Sequence, residues 1–447
     1  MTFKFEYKDL LDLLLNGTTE DIANYIEDIH PADILETIRQ YEEDKLVLLQ
    51  KLPKEVIGDV IDYAEDDEKY ELLSLFPAQT QVKIAEEMSS DELADMLGVI
   101  TPDEANEFLI KMDMEDANEV KELLNYKPDT AGGIMASEFI SVQEEMTVDE
   151  VLKYLRQEAP EAETAYYLYV LNEKQKLKGV VSLRDLVVSD FNTKVYDIMN
   201  VKPISVPVDM DQEEVGHMFE KYDFLTMPVV DEEGTILGII NIDDIMDVLR
   251  EETTEDIYRL AGVQEGESVT STLKQSVSRR LPWLFVNLFT AILAASTVNL
   301  FEGTIEKVVA LATFMPIVAG MGGNAGTQTL TIVVRGLALG ELTFENAKKV
   351  LLKEFGVGVT NGASIGIIVA ILAYFWEGNP VFGLVIGTAM ILNMIAATVA
   401  GYFVPVTLKK LKIDPALASA VFVTTVTDVL GFFFFLGLAT AFIAYLQ

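Results

Sequence analysis

The chain of 447 residues contains no cysteine and only two histidines, His30 and His217. The lack of cysteine excludes disulfides and thiolate metal sites, and two histidines far apart in sequence argue against a zinc or haem centre. Positive charge is also scarce, with 33 Lys and Arg against 72 Asp and Glu. This acidity argues against nucleic acid as a partner. The many carboxylates are hard oxygen ligands that suit Mg²⁺, Ca²⁺ or Mn²⁺.

The negative charge is distributed unevenly along the chain. Residues 1–270 hold 64 Asp and Glu against 22 Lys and Arg, a local net charge of −42, whereas residues 271–447 hold 8 acids and 11 bases and are otherwise almost wholly apolar. This predicts an anionic soluble body fused to a membrane domain. Such a body repels itself and is most easily stabilised by bound cations. The pattern indicates a protein that both moves and senses a cation.

Five apolar stretches are long enough to span about 30 Å of hydrocarbon. They are Leu281–Phe301, Val308–Val334, Phe355–Trp376, Val381–Val404 and Ala416–Tyr445. Lys and Arg cluster before the first stretch and after the second and fourth, which predicts a cytoplasmic N-terminal body and an outside C-terminus. The N-terminal MTFKFEYKDL lacks a charged region followed by an apolar one, so no signal peptide is expected. An odd number of spans favours a pore shared across a homodimer axis.

The second stretch is unusually rich in glycine and amides, since residues 316–331 read P-I-V-A-G-M-G-G-N-A-G-T-Q-T-L-T. Such a run is costly in lipid unless it is buried against protein or lines water. We favour a role in lining or supporting a pore, with Asn324 as a candidate ligand. Close helix packing through small residues is the alternative.

The fifth stretch carries Asp428 in T-T-V-T-D-V-L-G, with no Lys or Arg near membrane depth to pair with it. A lone intramembrane carboxylate is a functional-site hypothesis by default, and two of them across a dimer axis would attract a divalent cation. The alternative is a protonated Asp in a hydrogen bond between helices. Asp414 is a second candidate acid at the cytosolic mouth, or equally a helix cap. Asn361 and Asn393 are interpreted preferentially as bridges between helices.

The soluble half divides into a helical part and an internal repeat. Residues 1–130 show helix starts at intervals near 12 or 24 residues, which predicts short stacked helices in a superhelix. Residues 140–151 recur as 204–215, and each unit reads as strand, helix, two strands and helix. These units resemble a tandem pair of cystathionine-β-synthase (CBS) modules. G-V-V-S-L-R-D resembles their ribose-binding pattern, which makes Ser182 and Asp185 candidate nucleotide ligands. The second copy has Asn241 in place of Ser or Thr.

An acidic stripe follows the repeat. Positions 244, 247, 251 and 255 are Asp or Glu and share one face of a predicted helix. Like charges at this spacing destabilise a helix, and a hydrated divalent cation between facing stripes would relieve their repulsion. The alternative is an exposed acidic helix without a ligand.

With these two membrane motifs and this order of domains, the chain closely resembles the MgtE family of bacterial magnesium channels. The resemblance implies a multidomain fold. It begins with an α-helical superhelical N-domain, followed by α+β tandem CBS modules, a connecting or plug helix, and a five-span α-helical membrane domain. The expected boundaries are 1–130 for the N-domain, 131–195 and 196–252 for the modules, 253–276 for the connecting helix and 277–447 for the pore domain.

The resemblance also implies a function. It predicts a homodimeric Mg²⁺-gated Mg²⁺ channel in the inner membrane that imports Mg²⁺ and closes when Mg²⁺ bridges the cytosolic domains, with ATP left open as a regulatory ligand. The implied pore acids are Asp428 and Asp414. The implied sensor acids are Asp59, Asp91, Asp95, Asp223, Asp244, Asp247, Glu252, Glu255 and Asp256.

Other functions remain open at this point. The same scaffold suits transport of Mn²⁺, Co²⁺ or Ca²⁺. A CBS-regulated anion channel is disfavoured because the spans contain no Lys or Arg. A membrane-anchored nucleotide sensor that conducts nothing predicts that Asp428 is dispensable. An enzyme is not expected, because no P-loop, nucleophile elbow or metal-hydrolase motif is present.

Overall fold

The computed structural model describes residues 7–18, 22, 25–26, 29–41, 43, 45–158, 166–264, 266–269, 271–343, 345–417 and 420–446. The chain forms two compact units, Met1–Leu249 and Arg250–Gln447. The first contains the acidic soluble elements, and the second contains the apolar helices.

The N-terminal part of the first unit consists of short helices. They are α1 (Tyr7–Asn16), α2 (Pro31–Gln40), α3 (Leu46–Leu49), α4 (Lys54–Asp62), α5 (Asp66–Ser74), α6 (Ala78–Ala85), α7 (Ser90–Val99), α8 (Pro102–Leu109) and α9 (Met114–Leu123). Local chemistry sets the starts, as at α8, where Thr101 and Glu104 form a capping box and Pro102 takes the first turn. The predicted spacing of about 12 residues between helix starts is thus confirmed from Lys54 to Met114, whereas the superhelical arrangement stays a prediction.

The repeat forms two three-stranded sheets of identical topology. In the first, β1 (Ser141–Gln143) pairs parallel with β2 (Tyr167–Leu171), which pairs antiparallel with β3 (Leu177–Ser182). In the second, β4 (Val206–Pro207), β5 (Thr226–Val230) and β6 (Ile236–Asn241) repeat that order. The accompanying helices are α10 (Val148–Glu158), α11 (Leu183–Val188), α12 (Val195–Ile198) and α13 (Gln212–Tyr222).

The second repeat shares one hydrophobic core with the N-terminal helices. Met227, Ile240 and Ile245 belong to the same buried cluster as Leu93 and Met96 of α7. The first repeat instead has a buried cluster of its own around Val142 and Val181. The two modules therefore differ in what covers them, although their strands match.

The last module helix and the connecting helix are one helix, α14 (Ile242–Ala261). We expected the connecting helix over 253–276. Helical structure instead ends at Ala261, where Gly262 adopts a φ of 70°, a conformation that commonly terminates a helix. The next helix begins only at Leu273. The acidic stripe at positions 244, 247, 251 and 255 lies on this single helix.

The second unit is built from long apolar helices: α15 (Leu273–Asn299), α17 (Ala310–Ala338), α18 (Ala347–Glu377), α19 (Pro380–Lys410) and α20 (Ala420–Ala441), with short α16 (Glu302–Lys307) and α21 (Ile443–Leu446). Among the described residues four helices are long and apolar enough to cross a membrane, namely α15, α18, α19 and α20. Helix α17 packs against α19 and α20. The count of five spans stays a prediction. The predicted start of the fifth, Ala416, lies in a 3₁₀ turn, Pro415–Leu417, and residues 418–419 lie outside the described residues.

Candidate functional site

Asp428 lies in the middle of α20 and is half-buried within the second unit. Within the described part of the chain it has neither a hydrogen-bond partner nor an ion-pair partner. The neighbouring threonines turn their hydroxyl protons away from it, because Thr425 Oγ1 donates to Val421 O at 2.6 Å and Thr427 Oγ1 donates to Thr424 O at 2.9 Å. The carboxylate is therefore free to accept hydrogen bonds from water around a cation.

The glycine-rich run of α17 serves close packing on one face. A Cβ on Gly326 would lie 2.5 Å from Val423 Cγ1, and one on Gly322 would lie 2.3 Å from Asn393 Nδ2. A Cβ on Gly323 would lie 3.4 Å from Thr424 Cγ2, one helical turn before Asp428. Small residues thus let α17 approach α19 and α20 closely.

A different face of α17 carries the amides. Asn324 and Gln328, one turn apart, are both exposed in the single chain. Asn324 therefore does not serve the packing that Gly322 and Gly326 serve. The interpretation as close helix packing therefore applies to Gly322 and Gly326. The face with Asn324 and Gln328 is not used in this packing and stays available to line a pore.

Asp414 acts as a cap and also belongs to an ion cluster. Its Oδ1 accepts a hydrogen bond from Ala416 N at 2.8 Å, and its Oδ2 forms an ion pair with Arg259 of α14. Arg259 also pairs with Glu255, one turn earlier on the same helix. The single guanidinium thus neutralises two acids that the sequence pattern predicts as Mg²⁺ ligands.

The C-terminal end of α14 contacts α17 and α20. Leu260 packs against a buried cluster that includes Leu330, Val334 and Val423. Nearby, burial and then the negative charges of Asp414 and Glu252 together raise the pKa of Asp256 to about 6. Predicted sensor and mouth acids therefore lie in one electrostatic environment within the second unit.

Two predicted sensor acids lie together on α7. Asp91 is 5% exposed and its Oδ1 accepts a hydrogen bond from Glu92 N at 2.9 Å. Burial raises the pKa of Asp91 to about 6 and that of Asp95 to about 8. Asp62 on α4 is affected in the same way, since burial and then Glu92 raise its pKa to about 8.

A buried lysine partly offsets this negative charge. Lys69 on α5 is 4% exposed; its Nζ lies 2.8 Å from Asp66 Oδ1 and also pairs with Glu92. Although burial lowers the pKa of Lys69, Glu92 and Asp66 raise it above its usual value. In contrast, Asp62 Oδ1 is buried with no hydrogen-bond partner among the described residues. This unpaired hard oxygen fits a Mg²⁺ ion or its bound water.

The other predicted sensor acids have local roles as well. Asp59 on α4 is largely exposed; partial burial of its carboxyl group and then the charge of Glu55 raise its pKa. Asp223 ends α13 with a φ of 53°, and Asp244 Oδ2 accepts a hydrogen bond from Asn241 N at 3.1 Å at the start of α14. Asp247 is exposed and Glu252 is half-buried along the same helix.

These acids are divided between the two units. Asp59, Asp91, Asp95, Asp223, Asp244 and Asp247 belong to the first, and Glu252, Glu255, Asp256, Asp414 and Asp428 belong to the second. Over the residues that the structure describes, no three Asp, Glu or His side chains are arranged so that they could hold a metal ion. Within the described ranges, the sensor acids therefore do not form a preassembled chelating set.

The two CBS modules differ at the position of the ribose-binding pattern. Ser182 Oγ donates to Asp185 Oδ2 at 2.6 Å, and Asp185 N donates back to Ser182 Oγ at 3.1 Å; Asp185 is exposed. Asn241, at the matching position, is 1% exposed, and its side-chain oxygen and nitrogen have no partner among the described residues. The position of the pattern is therefore buried in the second module, whereas it stays accessible at Asp185 in the first.

Sequence reasoning missed three charged residues of these clusters. Arg259 and Lys69 each stand among many acids, and a search for isolated bases in acidic helices would have found them. Glu354 on α18 is 2% exposed and accepts a hydrogen bond from Thr329 Oγ1 at 3.1 Å. The sequence prediction does not include it, because the third apolar stretch begins at Phe355, one residue later.

Models of known protein families match the N-terminal helices, the two CBS modules and the apolar helices. A family model described as divalent cation transporter matches residues 315–438. The MgtE intracellular N domain matches residues 29–129, and the CBS domain matches residues 131–190 and 195–251. The family matches describe no enzyme.

Relatives match over nearly the full length. The magnesium transporter MgtE of Thermus thermophilus is 39% identical over 96% of this chain and 97% of its own. That of Bacillus subtilis is 34% identical over 99% and 98%. Among solved structures, the cytosolic domain of the Mg²⁺ channel MgtE in complex with ATP is 42% identical, with a TM-score of 0.51 over 54% of this chain and 100% of that one. Together with the four apolar helices, these matches show that the chain is a membrane protein and belongs to the MgtE family of magnesium transporters.

Proposed function

We propose that this protein is a Mg²⁺-gated channel that conducts Mg²⁺ into the cytoplasm. The observation that carries the proposal is the half-buried Asp428, which lies in an apolar helix without an ion-pair partner among the described residues. Burying a carboxylate in such surroundings is costly unless a cation compensates it. The relatives named as magnesium transporters support Mg²⁺ as that cation.

The ion is expected to pass Asp428 with its water shell. Mg²⁺ dehydrates reluctantly and usually keeps several waters, and each chain supplies only one carboxylate at this depth. A homodimer with Asp428 from both chains on a two-fold axis would provide two acceptors for those waters. The exposed amide face of α17, with Asn324 and Gln328, would face the same path.

Gating follows from the distribution of charge. When cytosolic Mg²⁺ is low, the acids of the soluble half repel one another, and the end of α14 is released from the mouth. When Mg²⁺ is high, ions bridge sensor acids and stabilise the closed arrangement, which requires the closed state to bind more Mg²⁺ than the open one. The unpaired buried Asp62 Oδ1 and the contact of Arg259 with Asp414 support this mechanism.

Orientation and nucleotide binding belong to the same proposal. Lys409 and Lys410 end α19 and Lys412 follows it, whereas Lys348, Lys349 and Lys353 lie in the first two turns of α18. By the positive-inside rule, these two helix ends favour the cytoplasm, which supports a cytoplasmic soluble half and a C-terminus outside.

Nucleotide binding is proposed only at the first module, where Ser182 and Asp185 are accessible. A similar soluble structure in complex with ATP supports adenine nucleotide as the regulatory ligand.

The test is Mg²⁺ uptake into liposomes that contain the purified full-length chain. Replacing Asp428 by Asn is expected to lower uptake at least about tenfold, equivalent to 1.4 kcal/mol. The matched control is Glu377→Gln, which neutralises an exposed carboxylate at the end of α18 and is expected to leave uptake unchanged.

The outcomes separate the proposal from its rivals. Equal uptake by wild type and Asp428→Asn would place the ion site elsewhere. No uptake by the wild type, even without Mg²⁺ on the side of the soluble half, would favour a nucleotide sensor that conducts nothing. Uptake of Mn²⁺, Co²⁺ or Ca²⁺ in preference to Mg²⁺ would assign the same pore to another cation.

A further inference from the structure

Asn393 is a fully buried polar side chain at the centre of the apolar helices. It lies midway along α19 with 0% exposure. Its Nδ2 donates a hydrogen bond to Val318 O of α17 at 2.8 Å. Its Oδ1 is buried and has no partner among the described residues. An amide with one unpaired acceptor is a costly way to fill space, because an apolar side chain would carry no such penalty.

Two glycines on different helices make room for this amide. A Cβ on Gly322 of α17 would lie 2.3 Å from Asn393 Nδ2, and a Cβ on Gly431 of α20 would lie 2.7 Å from the same atom. The planar carboxamide therefore occupies the space between the two glycine backbones. Helices α17, α19 and α20 meet at this one side chain.

This junction lies next to the side chains assigned to the ion path. Gly322 is two residues before Asn324 on α17, and Gly431 is three residues after Asp428 on α20. Between them, Gly323 and Thr424 bring α17 and α20 within 3.4 Å, measured from a Cβ built on Gly323. A change in the spacing at Asn393 would therefore move the segments that carry both functional side chains.

We propose that Asn393 is a positioning residue of the ion path, whose carboxamide links α17 to α19 and holds α17 and α20 at the spacing that places Asn324 and Asp428. The inference rests on the proposed function, because only a conducting chain gives these side chains a path to line. Asn393 itself contacts no ion. It acts through the backbone of α17 and the close approach of α20.

The first measurement is structural and does not depend on conduction. Since the chain has no cysteine, the substitutions Gly323→Cys and Thr424→Cys create one reporter pair at the observed close approach. Disulfide formation under a mild oxidant is followed in the full-length protein in lipid. Asn393→Leu is expected to slow it about threefold, which corresponds to the ~0.6 kcal/mol average of a hydrogen bond between membrane helices.

The second measurement is Mg²⁺ uptake as a function of Mg²⁺ concentration. If Asn393 positions the ion path, Asn393→Leu raises the half-saturating Mg²⁺ concentration as well as lowering the maximal rate. A side chain that only supports folding would reduce the amount of active protein, and hence the maximal rate, at an unchanged half-saturating concentration. The matched control is Asn361→Leu, because Asn361 is exposed on α18; it is expected to change neither measurement.

The disulfide rates test the role of Asn393 separately from the proposed Mg²⁺ conduction. Unchanged disulfide rates in Asn393→Leu, or equal slowing in Asn361→Leu, would overturn it. If Asn393→Leu does not fold, the pair Asn393→Ala with Gly431→Ala refills the space without the hydrogen bond. That pair is expected to fold and still show the slower disulfide rate, and a wild-type rate would overturn the inference. An absence of uptake in the wild type would refute the proposed function, and the disulfide rates would still decide whether Asn393 sets the helix spacing.

Discussion

Single residues of this protein often combine a local and a functional role. Asp414 caps the turn before α20 and pairs with Arg259, and Asp244 accepts a hydrogen bond at the start of α14. Sequence patterns offered capping and cation binding as alternatives for Asp414, and the structure shows capping directly. The roles are compatible because a carboxylate has two oxygens and several lone pairs.

The buried acids of the N-terminal helices lead to a prediction about protons. Asp62 and Asp95 have pKa values raised to about 8, chiefly by burial, so both carry protons at pH 7. Mg²⁺ binding at these side chains is therefore expected to release protons. Isothermal titration of the full-length protein with Mg²⁺ at pH 7, in two buffers of different ionisation enthalpy, measures the number released.

The same pKa values set the direction of the effect of pH on stability. A carboxyl group whose pKa is higher in the folded state binds more protons when the protein is folded. Its contribution to the free energy of unfolding is therefore present at low pH and is lost as pH rises through about 8. Without Mg²⁺, the protein is expected to be less stable at pH 9 than at pH 6. Asp62→Asn with Asp95→Asn should reduce both the pH dependence and the proton release. Equal heats of Mg²⁺ binding in the two buffers, after subtraction of the heats of dilution only, would contradict the predicted proton release.

Arg259 leads to a second prediction at this scale. Arg259→Gln leaves Glu255 and Asp414 without their counter-charge, which should weaken the contact of α14 with the mouth by roughly 1 kcal/mol for this partly exposed cluster. The Mg²⁺ concentration that closes the channel is then expected to rise about fivefold. The measurement is uptake against Mg²⁺ on the side of the soluble half. Arg259→Lys keeps the charge and is the control; an equal shift in both variants would mean that charge is not the cause.

At the scale of secondary structure, the spacing of helix starts was predicted well, because a local signal marks many of them. The capping box at Thr101 and the prolines at helix starts act over a few residues, so the sequence contains all the information needed. Boundaries were predicted poorly where one helix runs from a module into the linker without a break. The helix α14 was divided between a module and a linker, because only the backbone of Gly262 shows where it ends.

The faces of α17 lead to a prediction about packing. Gly326→Ala places a Cβ 2.5 Å from Val423 Cγ1, whereas a Cβ on Gly320 meets nothing within 4 Å. Gly326→Ala is therefore expected to destabilise the second unit by about 1–3 kcal/mol, the usual cost of overpacking, and Gly320→Ala to be neutral. The check is the midpoint of thermal unfolding in detergent. Similar midpoints for the two variants would show that α17 is not closely packed at Gly326.

At the scale of the whole molecule, a soluble half with a net charge of −42 is joined to a nearly neutral apolar half. Such a charge favours expansion of the soluble half. Monovalent salt at 0.1 M screens the repulsion only between charges more than about 10 Å apart. Bridging by divalent ions is a short-range effect that monovalent salt does not replace. The structure is consistent with bridging between acids that are not preassembled, since no metal-holding set of three occurs among the described residues.

This difference between screening and bridging is testable. Removing Mg²⁺ is expected to make the soluble half of the full-length protein more sensitive to limited proteolysis, because repelling acids separate its domains. Restoring Mg²⁺ should protect it, whereas K⁺ at matched ionic strength should not. Full protection by K⁺ would mean that screening alone holds the domains together.

The sequence by itself determined the division into an acidic and an apolar half, the repeated modules, the family and the lone Asp428. These features follow from composition, spacing and motifs, which act locally or by simple addition of charge. Only the tertiary structure decided that Arg259 neutralises Asp414, that the side chain of Asn241 is buried, and that Asn393 lies between Gly322 and Gly431. Such contacts join residues far apart in the chain, and they depend on packing that no periodic pattern in the sequence encodes.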